Sequence, residues 1–88
     1  MEKKKNLKQL EESNKFNYML LGRLRMDLDY FFGNGQMHGR HLYYPEVGVH
    51  MREMINLWKR LPIKPQWLRA TELIEYKRRV ENFQLKSN

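Results

Sequence analysis

The chain contains no cysteine. That excludes a disulfide staple, a thiolate nucleophile and a Cys-ligated zinc site, and it fits a reducing cytoplasm. Hydroxyl nucleophiles are nearly as scarce. The only serines, Ser13 and Ser87, stand near the two ends with no neighbouring base. Asp27 and Asp29 lie two apart on a helical stretch and so point about 200° away from one another, which rules out a carboxylate dyad. With no nucleophile–base constellation in view, the expectation is a protein that is not an enzyme. No apolar run approaches the roughly 20 residues that span a bilayer. The lysine-rich residues 1–6 lack the apolar stretch of a secretory signal, so no membrane association and a cytoplasmic location are expected. No alternating run is long enough for a strand. No internal repeat or linker divides the chain.

What remains is a single domain's worth of sequence, 88 residues with 17 basic and 10 acidic side chains and a formal charge of +7. Residues 1–12 are lysine-rich with Leu7 and Leu10, and read as a basic tail or a frayed helix. A helix is expected over 14–32, capped by Ser13 or Asn14. Phe16, Leu20, Leu24, Leu28 and Phe31 recur along it at helical spacing, and Met19, Leu21 and Phe32 widen the stripe. That width predicts the central helix, contacting both others. Arg23–Asp27 and Arg25–Asp29 form i,i+4 pairs on it. Gly22 costs about 1 kcal/mol of helix propensity, which a close helix–helix approach would explain.

The helix runs into a corner, Gly33-Asn34-Gly35-Gln36-Met37-His38-Gly39-Arg40-His41-Leu42-Tyr43-Tyr44-Pro45, which holds three of the five glycines. Gly33 suits the left-handed position after a helix, and Asn34-Gly35 continue the turn. Pro45 suits the first residue of the next helix. That helix is expected over 45–61, with a seam of Val47, Met51, Met54, Trp58 and Leu61, Glu46 in its first turn and Lys59-Arg60 in its last. Leu61-Pro62-Ile63-Lys64-Pro65 ends it as a stiff connector, after which Trp67 and Leu68 plug the end of the bundle. A third helix over 70–84 carries Leu73, Tyr76, Val80 and Phe83 inward and a Glu75–Arg79 pair outward. Residues 85–88 read as a loose tail. The expected fold is all-α, a compact three-helix domain over 13–84 with a glycine-rich corner between helices 1 and 2.

Few side chains suggest chemistry. His38-x-x-His41 lacks the further ligands zinc requires, so no metal and no cofactor are expected. His41 reads as bonded to backbone at the corner, and His50 is the only other imidazole. Gly33-x-Gly35-x-x-x-Gly39 follows a helix, not a strand, and meets neither the dinucleotide nor the P-loop pattern. No small-molecule substrate is evident. The basic residues are the stronger signal. Arg52 and Lys59 stand seven apart on one flank of the second helix, Lys77, Arg78 and Arg79 cover the third, and Arg40 and Arg69 sit in connectors. Trp58 and Trp67 occupy core positions, which leaves Tyr43 and Tyr44 as the exposed aromatics.

Several segments together resemble a known family. These are Tyr18-Met19-Leu20-Leu21-x-Arg23-Leu24, Tyr30-Phe31-Phe32-Gly33-Asn34-Gly35, His41-Leu42-Tyr43, Met54-x-x-Leu57-Trp58-x-x-Leu61-Pro62 and Lys64-Pro65-x-Trp67-Leu68, with Glu72 and Tyr76 after them. They are similar, in this order over residues 18–76, to a large-polyvalent-protein-associated domain of the short class with a Gly-Asn-Gly corner. Such domains occur in phages and conjugative elements, alone or inside very long multi-domain proteins. Three positions depart from the family pattern. Met37 stands where a basic residue is common, Tyr43 where a Trp is common, and Arg69 where a Thr usually caps the last helix. The resemblance implies a mobile-element accessory protein in the cytoplasm of a bacterial host, of a kind that helps incoming DNA establish itself, partly by blunting host defences.

Two functions follow as expectations. The first is a non-catalytic module that contacts DNA or RNA through Arg40, Arg52, Lys59, Lys77, Arg78 and Arg79. The alternative is a protein-binding module that inhibits a host defence nuclease, of restriction or CRISPR type, or docks within a larger element protein. Its contact surface would be the corner, with Asn34, Arg40, His41, Tyr43 and Tyr44.

Overall fold

Three helices form, α1 over Glu2–Phe32, α2 over Val47–Arg60 and α3 over Ala70–Ser87. The computed structural model describes residues 2–33 and 42–87, and side chains within 14–33 and 42–86; no strand occurs among these residues. The all-α, three-helix expectation therefore holds. The Asn34–His41 part of the expected corner lies outside the described residues.

Periodicity sets the core. Leu21, Leu24, Leu28 and Phe31 of α1 meet Val47, Met51, Met54 and Leu57 of α2 and Leu73 and Val80 of α3, with Leu42, Leu61 and Leu68 closing the ends. Phe31 and Phe83 pack edge to face with ring centroids 5.3 Å apart. The seams expected on α2 and α3 are largely those observed, except that Trp58 is only partly buried and Leu57 takes the inner place.

The central helix is α2, not α1. The backbone of α2 approaches both neighbours closely, whereas α1 and α3 meet mainly through side chains. At 1.5 Å per residue, the 14 residues of α2 span about 21 Å, and the 31 of α1 about 46 Å. The shorter helix therefore covers only part of the longer one, and the molecule measures 55 × 24 × 20 Å. Phe16, expected inside, is consequently 62% exposed, while Met19 is 66% exposed because it points about 200° away from the buried Leu21.

Helix ends differ from expectation for local reasons. Gly33 closes α1 by donating its N–H to Asp29 O and Tyr30 O at 3.0 and 3.1 Å, but its φ lies outside the left-handed region; a Cβ there would sit 3.1 Å from Asp29 O. Pro45 precedes α2 instead of opening it. Glu46 is the N-cap residue, its side chain making no capping bond. The far end of α2 is well closed. Lys64 Nζ donates to the carbonyls of Trp58, Lys59 and Leu61 at 2.9, 2.9 and 2.7 Å and lies 4.9 Å from the Trp58 ring centroid. A cation there satisfies orphan carbonyls and complements the helix dipole.

Gly22 faces the connector's Trp67, not a helix. A Cβ at Gly22 would meet Trp67 Cη2 at 3.8 Å, an ordinary contact. Gly22→Ala should therefore gain helix propensity without a clash, raising stability by up to about 1 kcal/mol. Urea denaturation would show a higher midpoint at unchanged m-value.

Candidate nucleic-acid interface

Six cations stand out in the sequence, and the structure separates them. Arg40 lies outside the described residues. Arg52 on α2 and Lys77 on α3 line the same groove, about 280 Å³, with Gly48, Met51, Ile55, Asn56, Val80, Glu81 and Gln84. Two helices thus bring two cations to one opening. Arg52 approaches only its neighbour Glu53, at 3.8 Å, and Lys77 has no ion pair among the described residues. Lys59 is exposed at the end of α2. Arg78 is exposed and pairs with Glu75 at 3.5 Å, so the acidic partner expected for Arg79 goes to Arg78. Arg79 turns the other way, its guanidinium 5.4 Å from the Phe32 ring centroid. Consecutive residues on a helix step by about 100°, so Lys77, Arg78 and Arg79 do not share one face.

Of the corner residues, Asn34 and His41 also lie outside the described residues. Tyr43 is 50% exposed, and the Arg23 guanidinium lies 5.7 Å from its ring centroid. Tyr44 is half-buried between Tyr43 and His50, at centroid distances of 5.0 and 5.9 Å.

Among the described residues the buried polar side chain is His50, which is fully enclosed. Its Nε2–H donates to Leu24 O at 2.8 Å, and its Nδ1 accepts from the Tyr44 N–H at 3.4 Å. A carbonyl can only accept, so the proton sits on Nε2 and the ring is neutral. Burial pushes the imidazole below its usual range, partly opposed by the Leu24 carbonyl and Asp27. His50 thereby ties α2 to α1 and to the segment before α2. From the sequence, that backbone-bonded role was expected of His41. The available signal was the position of His50 between Val47 and Met54 on the apolar seam.

A second polar region joins α1 to α3. Arg25 approaches Asp29 at 3.9 Å, and the Tyr76 hydroxyl donates to Asp29. The Tyr76 hydroxyl raises the Arg25 guanidinium further above its already high value, while burial and the Asp29 contact raise the Tyr76 phenol. Next to this network Trp67 is 40% exposed instead of plugging the bundle; Leu68 and Pro65 fill the core beside it.

Arg69 stands at the N-cap of α3. Its C=O accepts from Leu73 N–H at 3.0 Å, and its own N–H donates to Glu72 Oε1 at 2.9 Å. This is half of a capping box, because arginine offers no acceptor in return. Arg69→Thr should complete the box and add about 1 kcal/mol of stability, read as a higher thermal midpoint.

Among the described residues no three His, Cys, Asp or Glu side chains cluster to hold a metal, and no helix is long and apolar enough to cross a membrane. The model of one protein family, large polyvalent protein-associated domain 11, matches residues 14–80. The chain belongs to that family. The match begins in α1 and ends at Val80 of α3, so the large polyvalent protein-associated domain takes in the buried core from Leu21 to Val80, and Phe83, which packs on Phe31, lies just beyond it. No curated protein and no solved structure matches the chain.

Proposed function

We propose that this large polyvalent protein-associated domain is a non-catalytic accessory module of a phage or other mobile element that contacts nucleic acid. The observation that carries the reading is the placement of Arg52 and Lys77 on one groove by two different helices. Cations held by separate rigid elements can engage successive phosphates without first being ordered. Lys59 adds an exposed cation at the end of α2, and Arg78, paired with Glu75, one on another face of α3. The net charge of +7 favours approach to a polyanion. Arg79, turned onto Phe32, is dropped from the contact set. The experiment is binding to labelled DNA by the unmodified domain and by the Arg52→Gln/Lys77→Gln variant.

A second reading has an observation of its own. Phe16, Met19 and Met26 of α1 are all more than three-fifths exposed. With Arg23 they step by 3, 4 and 3 along one exposed strip of α1. Such a face suits a protein partner, either a host defence nuclease or another part of a larger element protein. On this reading, capture of a partner from host lysate survives high salt and Arg52→Gln/Lys77→Gln but is abolished by Phe16→Glu/Met26→Glu.

A further inference from the structure

Near the start of α3 lies an open cleft of about 460 Å³ lined by Arg25, Gln66, Trp67, Arg69, Thr71 and Glu72. We infer that this cleft binds an unpaired nucleotide of a single strand, the base on the Trp67 indole and its phosphate between Arg69 and Arg25. The inference rests on the nucleic-acid reading and adds a second site to it.

Three observations carry it. The first is the indole. Trp67 is 40% exposed, although burying it would be worth more than burying almost any other side chain. Its ring edge stands near α1 at Gly22, where an added Cβ would lie 3.8 Å from Cη2, and the Arg25 guanidinium lies 5.9 Å from its centroid. The flanking turn is pinned from inside. Leu68 is fully buried, its N–H bonds Pro65 O at 3.3 Å, and its carbonyl accepts the Trp58 indole N–H at 2.9 Å. A rigid, outward aromatic is the platform on which an unpaired base stacks, and a base in a duplex has no free face to offer it.

The second observation is Arg69. Arginine cannot cap a helix through its side chain, and a cation is disfavoured at the positive end of the helix dipole. The guanidinium makes no ion pair among the described residues. A residue that costs local stability and has no intramolecular partner is expected where a ligand supplies one.

The third is the mix of groups. Arg69 gives positive charge, Arg25 gives more although it also approaches Asp29, Gln66 and Thr71 give neutral donors and acceptors, and Glu72 is turned to the Arg69 N–H. The cleft's volume falls within the roughly 300–1,000 Å³ of small-ligand sites.

The test is fluorescence anisotropy with a labelled ten-residue oligothymidylate and a labelled duplex, with AMP as a competitor. Trp67→Ala should weaken single-strand binding about fivefold or more and leave duplex binding unchanged, while Trp67→Phe retains most of the affinity. Arg69→Thr separates binding from folding. It should stabilise the domain yet weaken single-strand binding, with the salt slope smaller by about 0.7. AMP should bind at least about tenfold more weakly than the strand, which adds phosphate contacts. Duplex binding that persists while Trp67→Ala and Arg69→Thr leave single-strand affinity unchanged overturns this inference and spares the groove reading. Equal affinity for AMP and the strand overturns the assignment to a strand. Weakening by Trp67→Phe to the same extent as by Trp67→Ala overturns the stacking role, and absence of binding to either nucleic acid overturns both readings.

Discussion

Replacing His50 with alanine should destabilise the domain by about 2–4 kcal/mol, through a buried cavity and the removal of two hydrogen bonds. For a chain of this size that is a large share of total stability and shifts the melting temperature by roughly 4–8 °C per kcal/mol. The Tyr44 N–H loses its acceptor, and the Leu24 carbonyl loses the donor that ties α2 to α1. His50→Gln can offer both a donor and an acceptor in the same place and should cost less. The two variants also differ from the native protein in pH dependence. Burial holds the folded imidazole below its ordinary value of 6.5, so the unfolded chain binds this proton first as pH falls. Stability from the neutral ring is then fully present above pH 6.5 and declines from there down to the folded value, because the unfolded state carries more protons in that window. Thermal melts at about pH 7.5 and about pH 5.5, on either side of the upper edge of that window, should show this decline in the native protein, and a smaller one in His50→Gln. Equal declines would mean that another group governs the acid response.

Neutralising the groove should have the largest functional effect. Arg52→Gln/Lys77→Gln removes two cations that two helices hold at one opening. Every duplex phosphate that is no longer neutralised lowers the salt slope by about 0.9, so the pair should lower it by about 1.8. Affinity at low salt should fall about tenfold or more. Stability should barely change, since Arg52 has only its weak neighbour contact with Glu53 and Lys77 has no ion pair among the described residues. Neutralising Arg79 makes the useful contrast. Its guanidinium lies over Phe32, so Arg79→Gln should alter packing between α1 and α3 more than DNA binding.

The seam of α3 was legible because Leu73, Tyr76, Val80 and Phe83 follow one helical face, and that face is inside. Phe16 fits its own helix's stripe equally well, yet it is exposed. Periodicity says which face turns inward but not how far the neighbour reaches, and α2 is less than half as long as α1. The same limit made α1 look central. The role of His50 was hidden because its partners, the Leu24 carbonyl and the Tyr44 amide, come from other segments. Trp67 differs from expectation because the connector offers Pro65, Trp67 and Leu68 in a short space, and backbone geometry there selects which of them enter the core. Among the candidate contacts, the run Lys77-Arg78-Arg79 reads as one patch in sequence. Helical rotation distributes it among a groove, an acidic neighbour and an aromatic ring.

Whether the domain contacts nucleic acid through cations on the α2–α3 groove is tested most directly by fluorescence anisotropy of labelled duplex DNA across a salt series. The expected result is micromolar or tighter binding at low salt, weakening steeply as salt rises, with a shallower slope after Arg52→Gln/Lys77→Gln. Absence of binding at low salt, or a slope unchanged by those substitutions, would contradict the groove assignment.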